Sequence, residues 1–146
     1  MSSNNTEASQ SCASADVGTN CESSQAESVK AVRDTYDKIM KLFDRYNGTD
    51  KKEEREGVIN EVSACINHLT TVENKDVYPL IRTQSHPEGL EICEETHSQV
   101  RLVLDKLMRL TADIDKKDYD SEVEKLRDAV KDLKSKDENL FKCNQL

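Results

Sequence analysis

Apolar residues in this chain recur at alternating steps of three and four positions in four separate segments. That spacing returns side chains to one face of an α-helix, so each segment is predicted to form an amphipathic helix. The stripes run from Val29 to Phe43, from Ile59 to Leu80, from Leu90 to Leu107 and from Val123 to Leu140. Because a single helix cannot bury its own apolar face, the four helices are predicted to pack against each other.

The connections between these predicted helices are short and polar. Asn47-Gly48 ends the first stripe, Ser85-His86-Pro87 separates the second from the third, and residues 115–118 interrupt the pattern before the fourth. Short connections place consecutive helices side by side in opposite directions. With 35% hydrophobic residues, 4 Gly and 2 Pro, the chain is poorly suited to a β-sandwich with many tight turns. The predicted fold class is all-α, an up-down-up-down antiparallel four-helix bundle.

The N-terminal segment differs in composition from the rest of the chain. Residues 1–26 are rich in Ser, Asn, Thr and Ala and contain no Leu, Ile, Phe or Tyr. Such a segment buries too little apolar surface to offset the entropy lost on ordering it. We therefore predict a disordered tail over residues 1–26 and one bundle domain over residues 27–146.

The charge and cysteine content restrict the partners and the compartment. A net charge of −8 argues against binding to nucleic acid or to an anionic membrane, since both are negatively charged. No apolar run approaches the roughly 20 residues of a membrane-spanning helix, and no secretory signal is recognisable. Five widely spaced cysteines favour free thiols over a disulfide scaffold. We expect a cytoplasmic protein without nucleic-acid or membrane partners, and the sequence identifies no protein partner.

Each apolar stripe contains one polar residue, and these are Tyr36, Glu73, His97 and Asp137. A carboxylate that faces the interior of a bundle costs several kcal/mol unless it is paired, neutralised or bound to a cation. If the turn between the second and third helices centres near Ser85, Glu73 and His97 lie at the same level of the bundle. The alternative is that some of these side chains lie near helix ends, where water reaches them, and Asp137 fits that alternative.

Two residue pairs have the spacing of helical zinc ligands, Cys65 with His68 and Cys93 with His97. The same arithmetic separates the two cysteines by about 18 Å along the bundle axis. Zinc–sulfur bonds of about 2.3 Å cannot span that distance, which excludes a zinc site of two cysteines and two histidines. A cysteine on an apolar stripe usually fills the core, and this is the role predicted for Cys93. The sequence has no nucleophile–base pair, phosphate loop or metalloprotease motif, so we do not predict an enzyme.

The second predicted helix contains a segment that resembles a family signature. It reads His68-Leu-Thr-Thr-Val-Glu73-Asn-Lys-Asp-Val-Tyr78-Pro79-Leu-Ile. This order is similar to the His…Glu…Tyr-Pro signature of the hemerythrin-like, or HHE cation-binding, family.

Two further segments resemble the same family. Glu94-Glu-Thr-His97 is similar to the family's third-helix histidine motif, and Asp34-Thr-Tyr36 resembles its first helix, with Tyr36 in place of a histidine. The resemblance extends over residues 27 to 141. It implies a four-helix bundle holding a non-haem di-iron centre, with about five histidines and two bridging carboxylates as ligands. Such centres bind dioxygen reversibly in carriers and sense oxygen or iron in relatives.

The sequence departs from the ligand set that the resemblance implies. It has 3 histidines and none after His97, so the fourth helix supplies no histidine and Asp137 is expected to stand in as a carboxylate. The family glutamate follows its histidine by four positions, whereas Glu73 follows His68 by five and Leu69 holds the interior position. A π-bulge between His68 and Glu73 would restore the alignment.

Two functions are compatible with this pattern. In the first, Glu73, His97 and Tyr36, joined by His68 or Asp137, hold a single non-haem iron or another divalent cation at a weak mononuclear site. Its role is metal sensing or regulation, because too few nitrogen ligands remain for reversible oxygen carriage. In the second, the bundle is a metal-free binding module in which Glu73 pairs with His97 and the Tyr36 hydroxyl donates a hydrogen bond. We take the first as the prediction and keep the second as the alternative.

Overall fold

A computed structural model describes residues 17–83 and 87–146, with side chains from residue 25 onward. Every regular element in these residues is helical. The elements are α1 (Val17–Asn47), α2 (Lys52–Val72), a π-helical turn (Glu73–Val77), α3 (Tyr78–Arg82), α4 (Leu90–Leu107) and α5 (Lys116–Cys143). The four long helices α1, α2, α4 and α5 form a helical bundle, as the sequence predicts.

The predicted apolar stripes form the core of this bundle. Their deeply buried members include Val32, Ile39, Phe43, Ile59, Val62, Val100, Leu104, Leu126 and Val130. Full burial of one such side chain contributes about 1.5–3 kcal/mol, so the seam between the helices is the main source of stability. The prediction of four amphipathic helices is confirmed.

Contacts between α1 and α5 run in opposite sequence order. Arg33, early in α1, pairs with Glu138, late in α5, at 3.0 Å. Tyr46, at the end of α1, donates a hydrogen bond to Asp120, near the start of α5. This reversal is the contact pattern of antiparallel helices, and the contacts between α4 and α5 have the same order.

The outward faces of the helices are charged. The ion pairs Lys30–Asp34 at 2.7 Å and Arg45–Glu61 at 2.5 Å are typical examples. Such exposed pairs contribute at most about 1 kcal/mol each, so they support the helices without determining the fold. In the described part of the chain, no helix combines the length and apolarity needed to cross a bilayer.

The start of α1 differs from the predicted boundary, and part of the connection before α4 lies outside the described residues. Helix α1 begins at Val17, earlier than the predicted boundary at residue 27. Residues 1–16 lie outside the described residues, so the disorder predicted for them stays a prediction. His86, in the predicted turn before α4, also lies outside them. The chain enters α4 through Gly89 at a φ of 101°, a left-handed conformation in which a residue with a Cβ would be strained.

A π-helical turn follows α2 and changes the register of the second stripe. The backbone N–H of Tyr78 donates to the carbonyl of Glu73, five residues earlier. Pro79 comes next, in the first turn of α3, and since proline has no N–H and its ring crowds the preceding turn, a regular α-helix cannot run unbroken from α2 into α3. The wider turn buries Tyr78 and Ile81 and leaves Leu80 only half-buried. The prediction that Leu80 continues the stripe is therefore wrong.

The position of the π-helical turn also corrects the predicted bulge. α2 is regular up to Val72, so the π-helical turn begins at Glu73 and does not lie between His68 and Glu73. Leu69 consequently keeps the interior position, and His68 lies on the exposed side of the helix.

The register change predicts different costs for two neighbouring truncations. Ile81→Ala should lower the free energy of unfolding by about 2–4 kcal/mol, because it leaves a cavity in the core. Leu80→Ala should lower it by less than about 1 kcal/mol. Urea denaturation of both variants measures the difference. Equal losses, or a larger loss at Leu80, would contradict the register described above.

Candidate metal centre

Four of the predicted site residues meet inside the bundle: Tyr36 from α1, Glu73 from the π-helical turn, His97 from α4 and Asp137 from α5. Glu73 and Asp137 are each 0% exposed. One potential ligand atom from each of Glu73, His97 and Asp137 lies within 4.8 Å of the others. Asp137 is thus not reached by water at a helix end, and that alternative is wrong.

His68, the fifth predicted ligand, is not brought to this cluster. Its exposed side chain lines a surface groove between α1 and α2, together with Asp34 and Cys65. The cause is the regular geometry of α2, in which the neighbouring Leu69 faces the interior. A metal bound at the cluster therefore draws no ligand from His68.

Asp137 accepts hydrogen bonds from two phenols. The Tyr78 hydroxyl donates to Oδ1 at 2.7 Å, and the Tyr36 hydroxyl donates to Oδ2. Burial, followed by the nearby Glu73 and Asp137 carboxylates, raises the pKa of both phenols far above the usual range. Both tyrosines therefore stay neutral donors, and together they fix the orientation of the Asp137 carboxylate.

His97 contacts Glu73, as predicted from their equal height along the bundle axis. Its Nε2 lies 2.7 Å from Glu73 Oε1 and 3.1 Å from the Tyr78 hydroxyl oxygen. Because the Tyr78 hydrogen is directed to Asp137, we assign a proton to His97 Nε2, which donates to both oxygens. Burial lowers the pKa of His97, which favours this neutral imidazole.

The other oxygen of Glu73 is the unsatisfied atom of the cluster. Glu73 Oε2 is buried and has no hydrogen-bond partner among the described residues. Leaving a buried polar atom unpaired costs about 1–3 kcal/mol. Protonation of one carboxyl group would remove its charge and let its O–H donate to the other, because Glu73 and Asp137 are neighbours. A cation bound at Oε2 would satisfy it.

The two carboxyl groups also hold protons more tightly than usual. Burial raises the pKa of Glu73 to about 7, and burial together with the neighbouring Glu73 raises the pKa of Asp137 to about 8. Two adjacent carboxylates in a dry interior resist double ionisation, so the pair retains a proton near neutral pH. The two carboxyl groups share that proton, and the titration belongs to the pair rather than to either residue.

Two further side chains, Tyr78 and Cys93, lie at the cluster, and neither was predicted to be part of it. Tyr78 was part of the quoted motif only, and Cys93 was predicted to fill the core. Cys93 is 1% exposed and is buried near Asp137. Burial, followed by Asp137, raises the pKa of the thiol. Two sequence features could have indicated that these residues lie at the cluster. Pro79 disturbs the helix beside Tyr78, and Cys93 and His97 have the i, i+4 spacing that places both on one helix face.

A groove between α4 on one side and α2 with the π-helical turn on the other leads from the surface to His97. It encloses about 550 Å³ and is lined by Ile66, Thr70, Asn74, Glu94, His97, Ser98, Arg101 and Leu102. The His97 side chain is 12% exposed, whereas Glu73 beside it is fully covered. The imidazole thus separates solvent in the groove from the buried carboxylates.

The donor set suits one divalent cation. Two carboxylates and an imidazole are ligands that zinc, iron and manganese accept. Tyr36, which the sequence predicts as a ligand, donates its hydroxyl hydrogen to Asp137, so it and Tyr78 would orient that carboxylate from outside the coordination sphere. Among the described residues, His97 is the one histidine at the cluster. A single imidazole does not supply the nitrogen ligands of a di-iron oxygen carrier.

Comparison of the chain with protein-family models, with curated proteins and with solved structures gives no match. The fold and the site therefore define the protein as a helical bundle with a buried cluster of carboxylate, imidazole and phenol groups. Membership of the hemerythrin-like family stays a proposal, which rests on the motifs quoted above.

The raised carboxyl pKa values predict a pH-dependent stability. Both groups ionise near pH 4 in the unfolded chain, but in the folded metal-free protein they retain protons to about pH 7 and 8. The folded state therefore binds more protons, and the free energy of unfolding should fall by about 2–3 kcal/mol from about pH 6.5 to about pH 8.5. His97 is neutral in the folded state throughout this window. Urea denaturation in chelator measures the trend.

The matched control is the double variant Glu73→Gln with Asp137→Asn, whose amides do not titrate. Its stability should be nearly constant over the same pH range. A flat profile in the unmodified protein, or an unchanged slope in the double variant, would contradict the assignment.

Proposed function

We propose that this protein is a hemerythrin-like cation-binding bundle that holds one non-haem metal ion, in a metal-sensing or regulatory role. Its four long helices would follow the up-down-up-down antiparallel order of that family. A cytoplasmic location is part of the proposal, and the free state of Cys65, Cys93 and Cys143 supports it.

The observation that carries the proposal is the unpartnered Oε2 of Glu73 in a fully buried site. The bundle places a second carboxyl group, Asp137, beside it and so increases the electrostatic cost of the arrangement. A bound cation would offset the repulsion between the carboxylates and also satisfy the open oxygen. Binding of one cation would thus remove both unfavourable features of the metal-free cluster, the carboxylate repulsion and the unpaired oxygen.

The ligands Glu73, His97 and Asp137 come from three different elements, which supports a sensing role. An ion held by all three would link the π-helical turn to α4 and α5, and through Tyr36 the linkage would reach α1. Binding to the folded state alone stabilises it by about 2.7 kcal/mol at a free metal concentration of 100 times Kd. The rigidity of the bundle would then report the concentration of the metal.

Metal analysis tests this proposal. After removal of metal with a chelator, addition of ferrous iron without oxygen should load about one ion per chain and raise Tm. Glu73→Gln and His97→Ala should abolish loading. His68→Ala is the matched control, since that histidine is exposed and away from the cluster, and it should load normally.

Two results would overturn the proposal. One is an absence of binding to iron, zinc, cobalt and manganese by well-folded protein. The other is loading that disappears in His68→Ala and persists in Glu73→Gln, which would place the ion elsewhere.

A second candidate function is a metal-free binding module. The hydrogen bonds among Tyr36, Tyr78, Asp137, His97 and Glu73 Oε1 favour it, because they satisfy most of the buried polar atoms without an ion. Glu73→Leu separates the candidates. In a metal-free module it should leave the free energy of unfolding unchanged or raise it by about 1–2 kcal/mol, with His97 still donating to Tyr78.

The comparison is made by urea denaturation, with and without added metal. If the cluster binds a metal ion, the Glu73→Leu variant lacks the metal-dependent increase in the free energy of unfolding. If it is a metal-free module, the unmodified protein has no such increase to lose.

A further inference from the structure

The buried cluster is closed to solvent at all but one of its main residues. Glu73 and Asp137 are each 0% exposed, and Tyr36 and Tyr78 beside them are 1% and 0% exposed. The His97 side chain is 12% exposed, so it is the one of these five residues that solvent reaches. An ion that moves between solvent and the two carboxylates therefore meets its thinnest barrier at His97.

The groove that ends at His97, called the His97 groove below, has two polar walls. Thr70 and Asn74 lie four positions apart on one wall, in α2 and the π-helical turn, and Glu94 and Ser98 lie four positions apart on the other, in α4. A step of four keeps side chains in one row on a helix face, so both rows run along the groove. Their hydroxyl, amide and carboxylate oxygens are acceptable temporary ligands for a divalent cation that is losing its water.

The groove between α1 and α2, called the α1–α2 groove below, has no such connection to the cluster. It encloses about 420 Å³ and contains Ala64 and His68 in its lining, but no residue of the cluster lines it. A groove of this size is therefore not sufficient to bring solvent to the carboxylates. The connection depends on His97, which lines the first groove and contacts Glu73 on its other side.

The His97 ring is held through one of its two nitrogens. Nε2 lies 2.7 Å from Glu73 Oε1 and 3.1 Å from the Tyr78 hydroxyl oxygen, whereas Nδ1 has no hydrogen-bond partner among the described residues. Rotation of the ring into the groove therefore breaks these two contacts and no other hydrogen bond of the ring. It uncovers Glu73, whose Oε2 is unpartnered in the same part of the chain.

We propose that the His97 groove is the route by which the cation enters and leaves the site, and that His97 closes this route as well as binding the ion. The inference rests on the proposed function and adds kinetic control to it. The ion passes from solvent to the oxygens of the groove and then to Glu73, and the imidazole returns behind it as a ligand. Association is slow because it waits for a conformational change, the rotation of the ring.

Zinc transfer tests the route, with Ser98→Trp as the blocking variant. Ser98 is exposed and lines the His97 groove, so a large ring there narrows the route without replacing a ligand. Stopped-flow mixing of metal-free protein with a zinc-loaded colorimetric indicator measures association, and mixing of zinc-loaded protein with excess EDTA measures release. Both rate constants should fall by at least about tenfold, whereas Kd should change by less than about threefold, because an obstacle on the route slows both directions equally.

The matched control is Ala64→Trp, which adds the same ring to the α1–α2 groove. Ala64 is exposed and lines that groove, so both rate constants for zinc should stay within about twofold of those of the unmodified protein. Circular dichroism and Tm check that the variants are folded. If Ser98→Trp does not fold, Ser98→Leu replaces it, with a smaller fall in both rate constants expected.

The outcomes separate this inference from the proposed function. Unchanged rate constants in the folded Ser98 variant, or an equal slowing in Ala64→Trp, would overturn the route and leave the cation site intact. A changed Kd with an unchanged association rate would also overturn it, because the substitution would then act on the bound state. Failure of the unmodified protein to bind zinc, iron, cobalt and manganese would overturn the proposed function and the route together.

Discussion

Two carboxyl groups in one dry interior are the constraint on which the rest of the structure depends. Glu73 and Asp137 are fully buried, and neither has an Arg or Lys partner among its described hydrogen bonds. The bundle accommodates Asp137 with two phenolic donors and Glu73 with one imidazole, and these donors come from α1, α3 and α4. Replacement of buried charged groups by apolar residues of equal volume is often neutral or stabilising, so this cluster adds little or nothing to the stability of the fold.

The π-helical turn determines which side chains take part. A regular helix through residues 73–82 would have continued the stripe to Leu80, but the turn before Pro79 rotates Tyr78 and Ile81 inward instead. Tyr78 then donates to Asp137 and accepts from His97, so it joins the two halves of the cluster. A single local irregularity thereby supplies the donor that orients Asp137. The chain places this irregularity at the buried polar site, where such turns often occur.

Part of the site was predictable because it follows from helix geometry. In two antiparallel helices joined by a turn, residues equally far in sequence from the centre of the turn lie at the same height along the bundle axis. This geometry alone placed Glu73 opposite His97. The same reasoning could not place His68, because a shift of one residue on a helix moves a side chain by about 100°. The spacing also did not indicate that Cys93 lies near Asp137, because a cysteine on an apolar stripe has the same spacing whether its neighbours are leucines or a carboxylate.

The sequence by itself determined four amphipathic helices, their boundaries to within a few residues in most places, and the polar residues on their inner faces. These features depend on periodicity and on short-range backbone preferences, which are local properties of the chain. Only the tertiary structure decided that Asp137 is beyond the reach of water, that two tyrosines share its oxygens, and that Glu73 Oε2 is left without a partner. Those facts depend on contacts between residues far apart in sequence, and no periodic pattern within one helix contains them.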